Sequence, residues 1–363
     1  MNKVRLILVG GFLGAGKTTL IWRIAERLMA SGKGVGLITN DQAPELVDSE
    51  LLRQQHLSVT EVSGSCFCCN FTGFTDALKR VSGGADYVLA EPVGSCADLS
   101  ATIVQPLKKY WSAEVVAAPL TVLADPQRLG GILRGEAAGL HDDAAYIVRK
   151  QMEEADIIVI TKSDTLPPSQ IDQLKADTQA AFPACSVMAV SAVDGTGLDE
   201  WLSEVTTRTD AGRRLLDIDY DRYAHGEAVL GWLNGTVALH ADEPAQWDEL
   251  VERFAGLLRG SLMCRQLPVG HVKLIAESGD HYASANITGS DLALTLRPGA
   301  GTSRDLRLIV NARVECSPER LDQLVSSTLS DAIVGRYREE VLAWRFLQPG
   351  RPNPTHRFSE VVA

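Results

Sequence analysis

The chain has 363 residues, a length that fits two domains better than one. Hydrophobic residues make up 45 %, enough for ordinary cores, and the net charge of −11 argues against a nucleic-acid partner. No apolar run approaches the length of a membrane span, and apart from one cluster the seven cysteines are scattered rather than spaced as a disulfide framework. We therefore predict a cytoplasmic protein that binds neither membranes nor nucleic acid.

The first predicted elements are a strand, a glycine-rich loop and a helix. The apolar run at residues 4–9 is followed by a loop that fits G-x-x-x-x-G-K-[ST] at residues 11–18, and a helical pattern continues to about residue 31. This context is the one that a phosphate-binding loop requires, with Lys17 reaching the β- and γ-phosphates and the Thr18 hydroxyl holding Mg²⁺. The predicted nucleotide-binding residues of this loop are Gly14, Ala15, Gly16, Lys17, Thr18 and Thr19.

Apolar runs continue to alternate with helical patterns along the first two hundred residues. They lie at residues 4–9, 35–39, 87–90, 120–124, 157–161 and 186–190. Buried runs separated by helices predict an α/β fold with a mostly parallel sheet flanked by helices.

Two acidic residues follow strands of this sheet. Asp41 comes after the second predicted strand and could reach Mg²⁺ directly or through water; an ordinary Asx turn is the alternative. Glu91 ends the third predicted strand, where an acid orients Mg²⁺ or the attacking water, and the N–H of Gly94 can meet the γ-phosphate. We predict Lys17, Asp41 and Glu91 as the catalytic residues, with Thr18, Asp41 and Glu91 around Mg²⁺.

A cysteine cluster lies between the second and third of these strands. Cys66, Cys68 and Cys69 fall within four residues, after a Ser-Gly-Ser segment typical of a loop. Three thiols at this spacing suit a transition-metal ion. A redox pair of Cys66 and Cys69 and buried structural cysteines are the alternatives, and we favour the metal site.

Two later strand ends predict the nucleotide base. Thr161 precedes Lys162 and Asp164 in a segment that differs from the usual Asn-Lys-x-Asp of GTPases only at its first position. The Asp164 carboxylate can accept two hydrogen bonds from guanine, which adenine cannot offer. Ser191 and Ala192 follow the next strand and would present backbone N–H groups to the guanine oxygen. These residues favour GTP over ATP.

A polar break at residues 210–214 separates a second unit. We predict a strand at 228–240, a helix at 244–259, strands at 271–277, 282–287, 291–297 and 306–314, and a helix from Pro318 to about residue 338. This order indicates a small α+β domain, ferredoxin-like in arrangement. The predicted division is a nucleotide domain at 1–209, the α+β domain at 216–340 and an extended tail at 341–363.

Taken together, the motifs resemble the CobW-like family of GTP-dependent metallochaperones, which belong to the same SIMIBI class of P-loop GTPases as UreG, HypB and MeaB. The shared marks are the phosphate loop at residues 10–19, the Gly-x-Cys-x-Cys-Cys motif at 64–69 and the Glu-x-x-Gly strand end at 91–94. The resemblance covers about the first 205 residues. It implies a GTPase with Mg²⁺ that binds zinc or cobalt and passes it to a client metalloprotein, with a homodimer as a further candidate assembly.

Two other functions stay open at this stage. One is a GTPase chaperone that acts on the conformation of a cobalamin- or metal-dependent enzyme, and the other is a metal store that senses nucleotide. The histidines of the second unit are not paired at ligand spacing, so none is predicted as a metal ligand; they are His225, His240, His271 and His281.

Overall fold

The computed structural model describes residues 3–41, 58–63, 66–289 and 291–362. Within these ranges, nothing is described of the side chains of Asp41, Ser58, Val59 and Ser63. The side chain of Asp41 and the Gly64 position of the cysteine motif therefore lie outside the described residues.

The first unit is a parallel sheet. Its strands are β1 (Val4–Gly11), β2 (Val35–Asp41), β3 (Ser58–Ser63), β4 (Tyr87–Glu91), β5 (Val115–Ala117), β6 (Thr121–Ala124), β7 (Ile157–Ile160) and β8 (Ser186–Ala189). They lie in the order β3-β2-β4-β1-β6-β7-β8, with β5 beside the first half of β1. All described pairs in this sheet are parallel, which confirms the predicted α/β sheet.

Helices cover both faces of this sheet. They span Lys17–Ala30, Phe71–Val81, Gln105–Tyr110, Pro126–Leu133, Asp142–Glu154, Pro168–Ala181 and Leu198–Thr207. The central strands are apolar on both sides because both faces are covered; every residue of β7 is fully buried. The carboxyl ends of β1, β2, β4 and β7 consequently meet along one edge of the sheet.

The second unit is an antiparallel sheet with two helices. Its strands are β9 (Gly231–Gln246), β10 (Val269–Ser278), β11 (His281–Thr288), β12 (Ala293–Arg297), β13 (Thr302–Val314) and β14 (Arg338–Leu347), in the order β12-β11-β10-β13-β9-β14. The helices Trp247–Cys264 and Pro318–Ile333 pack on it through their apolar faces. The order β14-β9-β13-β10 with a helix after β9 and after β13 is ferredoxin-like, and β11 and β12 extend it. The predicted smaller α+β unit is thus confirmed.

Several elements differ from the sequence-based prediction. β3 adds an edge strand beyond β2, and a helix, Tyr220–Ala228, precedes β9. The helix predicted to reach residue 338 ends at Ile333, because Gly335 at φ 63 breaks it. The chain then forms β14, so the predicted tail begins inside the sheet; β14 is a largely exposed edge strand with little apolar alternation. The division at residues 209–216 stays a prediction.

Among the described residues, no helix is long and apolar enough to cross a bilayer. Residues 348–362 contain no helix or strand, and we call them the C-terminal arm.

Candidate functional site

The glycine-rich loop connects β1 to the helix Lys17–Ala30 at the carboxyl edge of the parallel sheet. Gly16 is the N-cap of this helix with φ 89, a left-handed conformation that glycine adopts without strain. A Cβ atom on Gly16 would meet nothing within 4 Å, so the loop borders open space. The N–H groups and the positive end of the helix dipole favour an anion in that space.

Four of the predicted residues come together at this loop. The Lys17 ammonium donates to the Gly11 carbonyl at 2.8 Å and lies 3.9 Å from Oε1 of Glu91. The Thr18 hydroxyl donates to the same carboxylate oxygen at 3.2 Å. Gly94 lies against Lys17, because a Cβ on Gly94 would be 3.1 Å from Nζ. The hydroxyl and carboxylate oxygens of Thr18 and Glu91 are ligands of the kind that Mg²⁺ prefers, so this donor set fits the ion.

Asp41 ends β2, next to β4. Thr39 pairs with Glu91 across the two strands, so the backbone of Asp41 lies at the same edge of the sheet. Its side chain is outside the described residues, and its predicted contact with Mg²⁺ stays a prediction.

The predicted base-reading segment follows β7. The Thr161 hydroxyl donates to the Ala15 carbonyl at 2.9 Å, which ties this segment to the phosphate loop. Lys162 has φ 53, and its ammonium forms an ion pair with Asp125 at 2.8 Å. Asp164 is exposed and lines the same cavity as the phosphate loop. Its carboxylate is therefore accessible to a nucleotide base.

The other predicted base contacts follow β8. The Ser191 side chain is fully buried, and its hydroxyl accepts from the N–H groups of Val193 and Asp194 at 3.2 Å. Ala192 lines the cavity, whereas Ser191 and Ala15 are not among its lining residues. Ser191 thus shapes the turn, and Ala192 faces the space that a base would occupy.

These loops surround a cavity of about 390 Å³, within the usual size of small-molecule sites. The opposite wall comes from the second sheet, including His271 and Lys273 on β10. The Lys273 ammonium donates to the Thr18 hydroxyl at 3.4 Å. Burial lowers the pKa of His271, which keeps its imidazole neutral beside Asn311. Sequence reasoning missed this wall, because nothing in β10 predicts which surface its polar residues face.

The three motif cysteines form a compact thiol cluster. The Sγ atoms of Cys66 and Cys68 are 3.1 Å apart and those of Cys68 and Cys69 are 3.8 Å apart; all three sulfurs lie within 4.8 Å of one another. In a tetrahedral zinc site with Zn–S bonds of about 2.3 Å, two sulfurs are about 3.8 Å apart. The Cys68–Cys69 pair already has this spacing, and the Cys66–Cys68 pair would reach it by a shift of less than about 1 Å.

The thiols of this cluster differ in pKa. Interactions with Cys68, Cys69 and Cys96 lower the pKa of the Cys66 thiol. The pKa of Cys69 is raised to about 11, chiefly by its interaction with Cys66. One thiolate among neighbouring thiols is a starting point for binding a thiophilic cation, which displaces the remaining protons.

The cysteine motif is joined to β2 through Asn40. The Asn40 amide donates to the Val62 carbonyl at 2.7 Å, and its oxygen accepts from the N–H of Phe67 at 2.9 Å. Asn40 directly precedes Asp41 and itself lines the nucleotide cavity. The thiol cluster and the nucleotide cavity are therefore neighbours that share one residue of β2.

The C-terminal arm crosses the cysteine motif. The N–H of Thr355 donates to the Cys68 carbonyl at 2.8 Å, and the N–H of Asn353 donates to the Cys69 sulfur at 3.3 Å. His356 packs edge-on against Phe71 with ring centroids 5.1 Å apart. Cys69, the most exposed thiol of the motif, thus lies under the arm.

A second group of candidate ligands lies elsewhere. His141, Asp143 and His225 have ligand atoms within 4.8 Å of one another, although the sequence shows His225 unpaired. The Asp143 carboxylate already accepts from the Arg222 guanidinium at 2.6 Å, and both imidazoles are partly or largely exposed. An ion pair satisfies this group, so we assign no metal to it.

A family comparison matches residues 5–189 to the nucleotide-binding domain of CobW/HypB/UreG proteins. The chain belongs to the CobW/HypB/UreG family. The predicted family is thus confirmed, and a yeast relative is named as a GTPase. The match covers the parallel-sheet unit, with the phosphate loop, the cysteine motif and Glu91.

Individual relatives of this CobW/HypB/UreG protein are named as zinc chaperones or as a zinc-regulated GTPase. The zinc chaperone CobW of Pseudomonas aeruginosa is 26% identical over 211 residues, 51% of this chain and 55% of that protein. The zinc-regulated GTPase metalloprotein activator 1 of Saccharomyces cerevisiae is 27% identical over 203 residues, 48% of this chain and 45% of that protein. The chain thus spans about half the length of these relatives. Among solved structures, the hydrogenase maturation factor HypB of Archaeoglobus fulgidus is similar at 20% identity and a TM-score of 0.41, over 55% of this chain and 87% of that one; this likeness is too weak to support an argument.

Proposed function

We propose that this protein is a GTP-hydrolysing metallochaperone that binds zinc at Cys66, Cys68 and Cys69 and delivers it to a client metalloprotein. The observation that carries the proposal is the link through Asn40. Its side chain lines the nucleotide cavity and forms one hydrogen bond to β3, at the Val62 carbonyl, and one to the cysteine motif, at the Phe67 N–H. A change at the carboxyl end of β2 on nucleotide binding would therefore move the thiols. Ordering of such segments by a γ-phosphate is an established form of switching.

The residues of the cavity support phosphoryl chemistry on GTP. Lys17 would bind β- and γ-phosphate oxygens, and the N–H of Gly94 would meet the γ-phosphate. Thr18 and Glu91, with Asp41 as a further candidate, would hold Mg²⁺, which when bound neutralises charge developing on the phosphate oxygens. Glu91 would also orient the attacking water. Lys273 adds positive charge from the second sheet, which suits a polyanionic substrate.

Guanine recognition rests on Asp164 and its loop. Asp164 lines the cavity in a segment held to the phosphate loop by the Thr161 hydroxyl. Thr161 therefore supplies a side-chain hydrogen bond to the phosphate loop at the position where the usual motif has Asn. Lys162 lines the same wall, and a backbone N–H near Ala192 would donate to the guanine oxygen.

The transferred metal is proposed from the chemistry of the ligands. Thiolates suit zinc first and cobalt next, since both accept tetrahedral sulfur sites. The names of the zinc chaperone relatives favour zinc. The described cysteines are all free thiols, which fits the reducing cytoplasm as the compartment. The client metalloprotein, and a second copy of the chain, are the proposed protein partners.

The test is the coupling between metal and nucleotide. With Mg²⁺ and a non-hydrolysable GTP analogue present, metal affinity should rise, and by linkage metal should raise the affinity for the analogue by the same factor. Cobalt(II) titration reports the thiolates directly, because they give charge-transfer absorption in the near ultraviolet. The Cys66→Ser, Cys68→Ser, Cys69→Ser triple variant should lose that absorption and still bind the analogue.

Two results would count against the metallochaperone. Equal cobalt spectra from wild type and triple variant would show that the cysteines are not ligands, and a chaperone acting on client conformation would then be favoured. Tight metal binding with GTP turnover no faster than the uncatalysed reaction would instead favour a nucleotide-sensing metal store.

A further inference from the structure

One face of the second sheet is turned towards the nucleotide cavity, and this face is polar and basic. On β11 and β13, side chains that line the cavity alternate with side chains that pack against the helices. The sheet contributes Lys273, Arg297 and Arg313 to the wall. Among the lining residues that the structure describes, the carboxylates are Glu91 and Asp164, and both belong to the nucleotide unit. The second sheet therefore presents positive charge to the cavity, as a triphosphate requires.

The phosphate loop and β10 are in direct contact. The buried Arg128 guanidinium donates to the Leu13 carbonyl at 3.4 Å. The same group donates to the Val269 and Gly270 carbonyls at the start of β10 at 2.6 and 3.3 Å. A Cβ atom on Gly270 would lie 2.8 Å from the Leu13 side chain, and one on Gly14 would lie 3.4 Å from the Gly270 carbonyl oxygen. Packing this close holds β10 at a defined distance from the phosphate loop.

Lys273 extends from β10 to the part of the loop where Mg²⁺ and the γ-phosphate would bind. Its half-buried ammonium donates to the Thr18 hydroxyl at 3.4 Å, and that hydroxyl donates to Oε1 of Glu91 at 3.2 Å. Lys17 lies 3.9 Å from the same carboxylate oxygen. The Arg313 guanidinium, by contrast, donates to a carbonyl and an amide oxygen of β9 at 3.1 and 2.7 Å. Two ammonium groups, one from each unit, thus converge on the Thr18–Glu91 pair.

We propose that Lys273 is a further catalytic residue for GTP hydrolysis, a cation that the second unit supplies to the γ-phosphate within the same chain. The inference rests on the GTP hydrolysis proposed above and adds a residue to it. The cation comes from a strand that is packed against the phosphate loop, so it is already in place when the nucleotide binds. A charge that is fixed in advance stabilises a transition state without the cost of reorganisation.

The role of this ammonium follows from the charges that move in the reaction. The oxygen of a water molecule bonds to the γ-phosphorus, and the bond between that phosphorus and the β–γ bridging oxygen breaks. The bonding pair remains on the bridging oxygen, which becomes a terminal oxygen of GDP, and the protons of the water pass to inorganic phosphate and solvent. Negative charge is spread over the phosphoryl oxygens in the transition state. Lys273 would donate a hydrogen bond to one of these oxygens and keep its own proton throughout.

The first test is turnover of GTP by the full chain with Mg²⁺ present. Lys273→Met keeps an unbranched side chain and removes the charge. Its kcat should fall at least about tenfold, since loss of one transition-state donor costs about 10²–10³ in kcat. Its affinity for GDP, which has no γ-phosphate, should stay within about twofold of wild type, and this also shows that the variant is folded. Lys273→Gln, a second uncharged variant, should behave in the same way.

Two further variants separate the charge at this position from a general effect of the second unit. Lys273→Arg keeps the charge on a different head group and should be faster than Lys273→Met. Arg304→Met is the matched control, because it removes an exposed cation of β13 that pairs with Glu243 and does not line the cavity. It should hydrolyse GTP at the wild-type rate.

The second test measures binding and is independent of turnover. Aluminium fluoride with GDP imitates the phosphoryl group in transfer, and analogues of a transition state bind more tightly than ground-state ligands. Aluminium fluoride should therefore raise the affinity of the wild-type protein for GDP. Lys273→Met should lose at least about tenfold of that increase, because the missing donor acts on the transition state.

Two results would overturn the assignment of Lys273. One is wild-type kcat and a wild-type response to aluminium fluoride in Lys273→Met. The other is an equal loss of affinity for GDP and for a GTP analogue with kcat unchanged, because the lysine would then bind the nucleotide in every state. If the wild-type protein itself does not hydrolyse GTP faster than the uncatalysed reaction, the proposed function fails. If wild type and Lys273→Met hydrolyse GTP equally well, only the role of Lys273 is wrong.

Discussion

At the scale of single residues, the phosphate loop concentrates charge in a small buried volume. Lys17, Thr18 and Glu91 are each 6% exposed, and the three side chains are connected by the contacts of 3.2 and 3.9 Å at the Glu91 carboxylate. A buried ammonium costs free energy unless it has anionic or carbonyl partners. Here Glu91 and the Gly11 carbonyl provide them, and a phosphate would provide more.

Lys17→Ala should weaken GTP binding about 10- to 100-fold. The reason is the loss of charge-assisted hydrogen bonds to phosphate, which contribute about 1.5–3 kcal/mol. Isothermal calorimetry with GTP and Mg²⁺ measures the change, and Lys109→Ala, on an exposed position of the helix Gln105–Tyr110, is the control. Equal affinities for wild type and Lys17→Ala would contradict the phosphate-loop assignment.

At the scale of elements, parallel strands create the site by ending at one edge. β1 leads into the phosphate loop. β4 ends at Glu91 and is followed by Gly94, and β7 is followed by Thr161 and Asp164. The hydrogen bond from Thr161 to the Ala15 carbonyl joins two of these loops. Base recognition and phosphate binding are therefore properties of one connected edge.

Asp164→Asn should reduce GTP affinity about 10- to 100-fold and raise affinity for xanthosine triphosphate. Asn offers one acceptor and one donor where Asp offers two acceptors, so it matches xanthine better than guanine. Competition binding with GTP, ATP and xanthosine triphosphate measures the switch. Asp172→Asn, exposed on the helix Pro168–Ala181, is the control. If ATP competes as well as GTP against the wild-type protein, guanine recognition is wrong.

At the scale of the whole molecule, two long-range contacts are made by the nucleotide domain. One joins it to the second sheet and the other joins it to the C-terminal arm. The Arg128 guanidinium donates to the Val269 carbonyl on β10 at 2.6 Å, and burial lowers the pKa of Arg128 to about 10. The Arg357 guanidinium on the arm donates to the fully buried Asp98 carboxylate at 2.6 Å. On the same arm, the N–H of Thr355 donates to the Cys68 carbonyl at 2.8 Å, so docking of the arm supports the proposed metal site.

Arg357→Ala should lower the free energy of unfolding by about 1–2 kcal/mol. The substitution leaves a buried carboxylate with fewer donors, but the Arg357 side chain is 38% exposed, so water reduces the cost. Arg351→Ala is the matched control on the same arm, because its partner Asp221 is 85% exposed and the pair should contribute less than about 0.5 kcal/mol. Urea denaturation of the metal-free protein compares the two variants. Equal losses would mean that the arm is not anchored at Asp98.

Much of the fold was predictable because its signals are local. The phosphate loop, the alternation of buried strands with helices and the helix start at Pro318 each occupy a few adjacent residues, and the structure contains them at the predicted places. β14 was missed, because an edge strand exposed on most of its length lacks the apolar alternation that identifies a strand. The helix Tyr220–Ala228 was missed because its buried residues are few and its contacts lie in another unit.

By itself, the sequence determined the parallel-sheet unit, the phosphate loop and the three-cysteine motif, since each depends on residues spaced along one short segment. Only the tertiary structure decided which distant residues join them: Asn40 beside Phe67, Lys273 beside Thr18, and Asn353 on Cys69. These pairs are separated by tens to hundreds of residues, and their contact results from helices and sheets packing together. Strand and helix periodicity specifies which face of an element is buried, but the partner of a buried thiol or ammonium is selected by the packing of the whole chain.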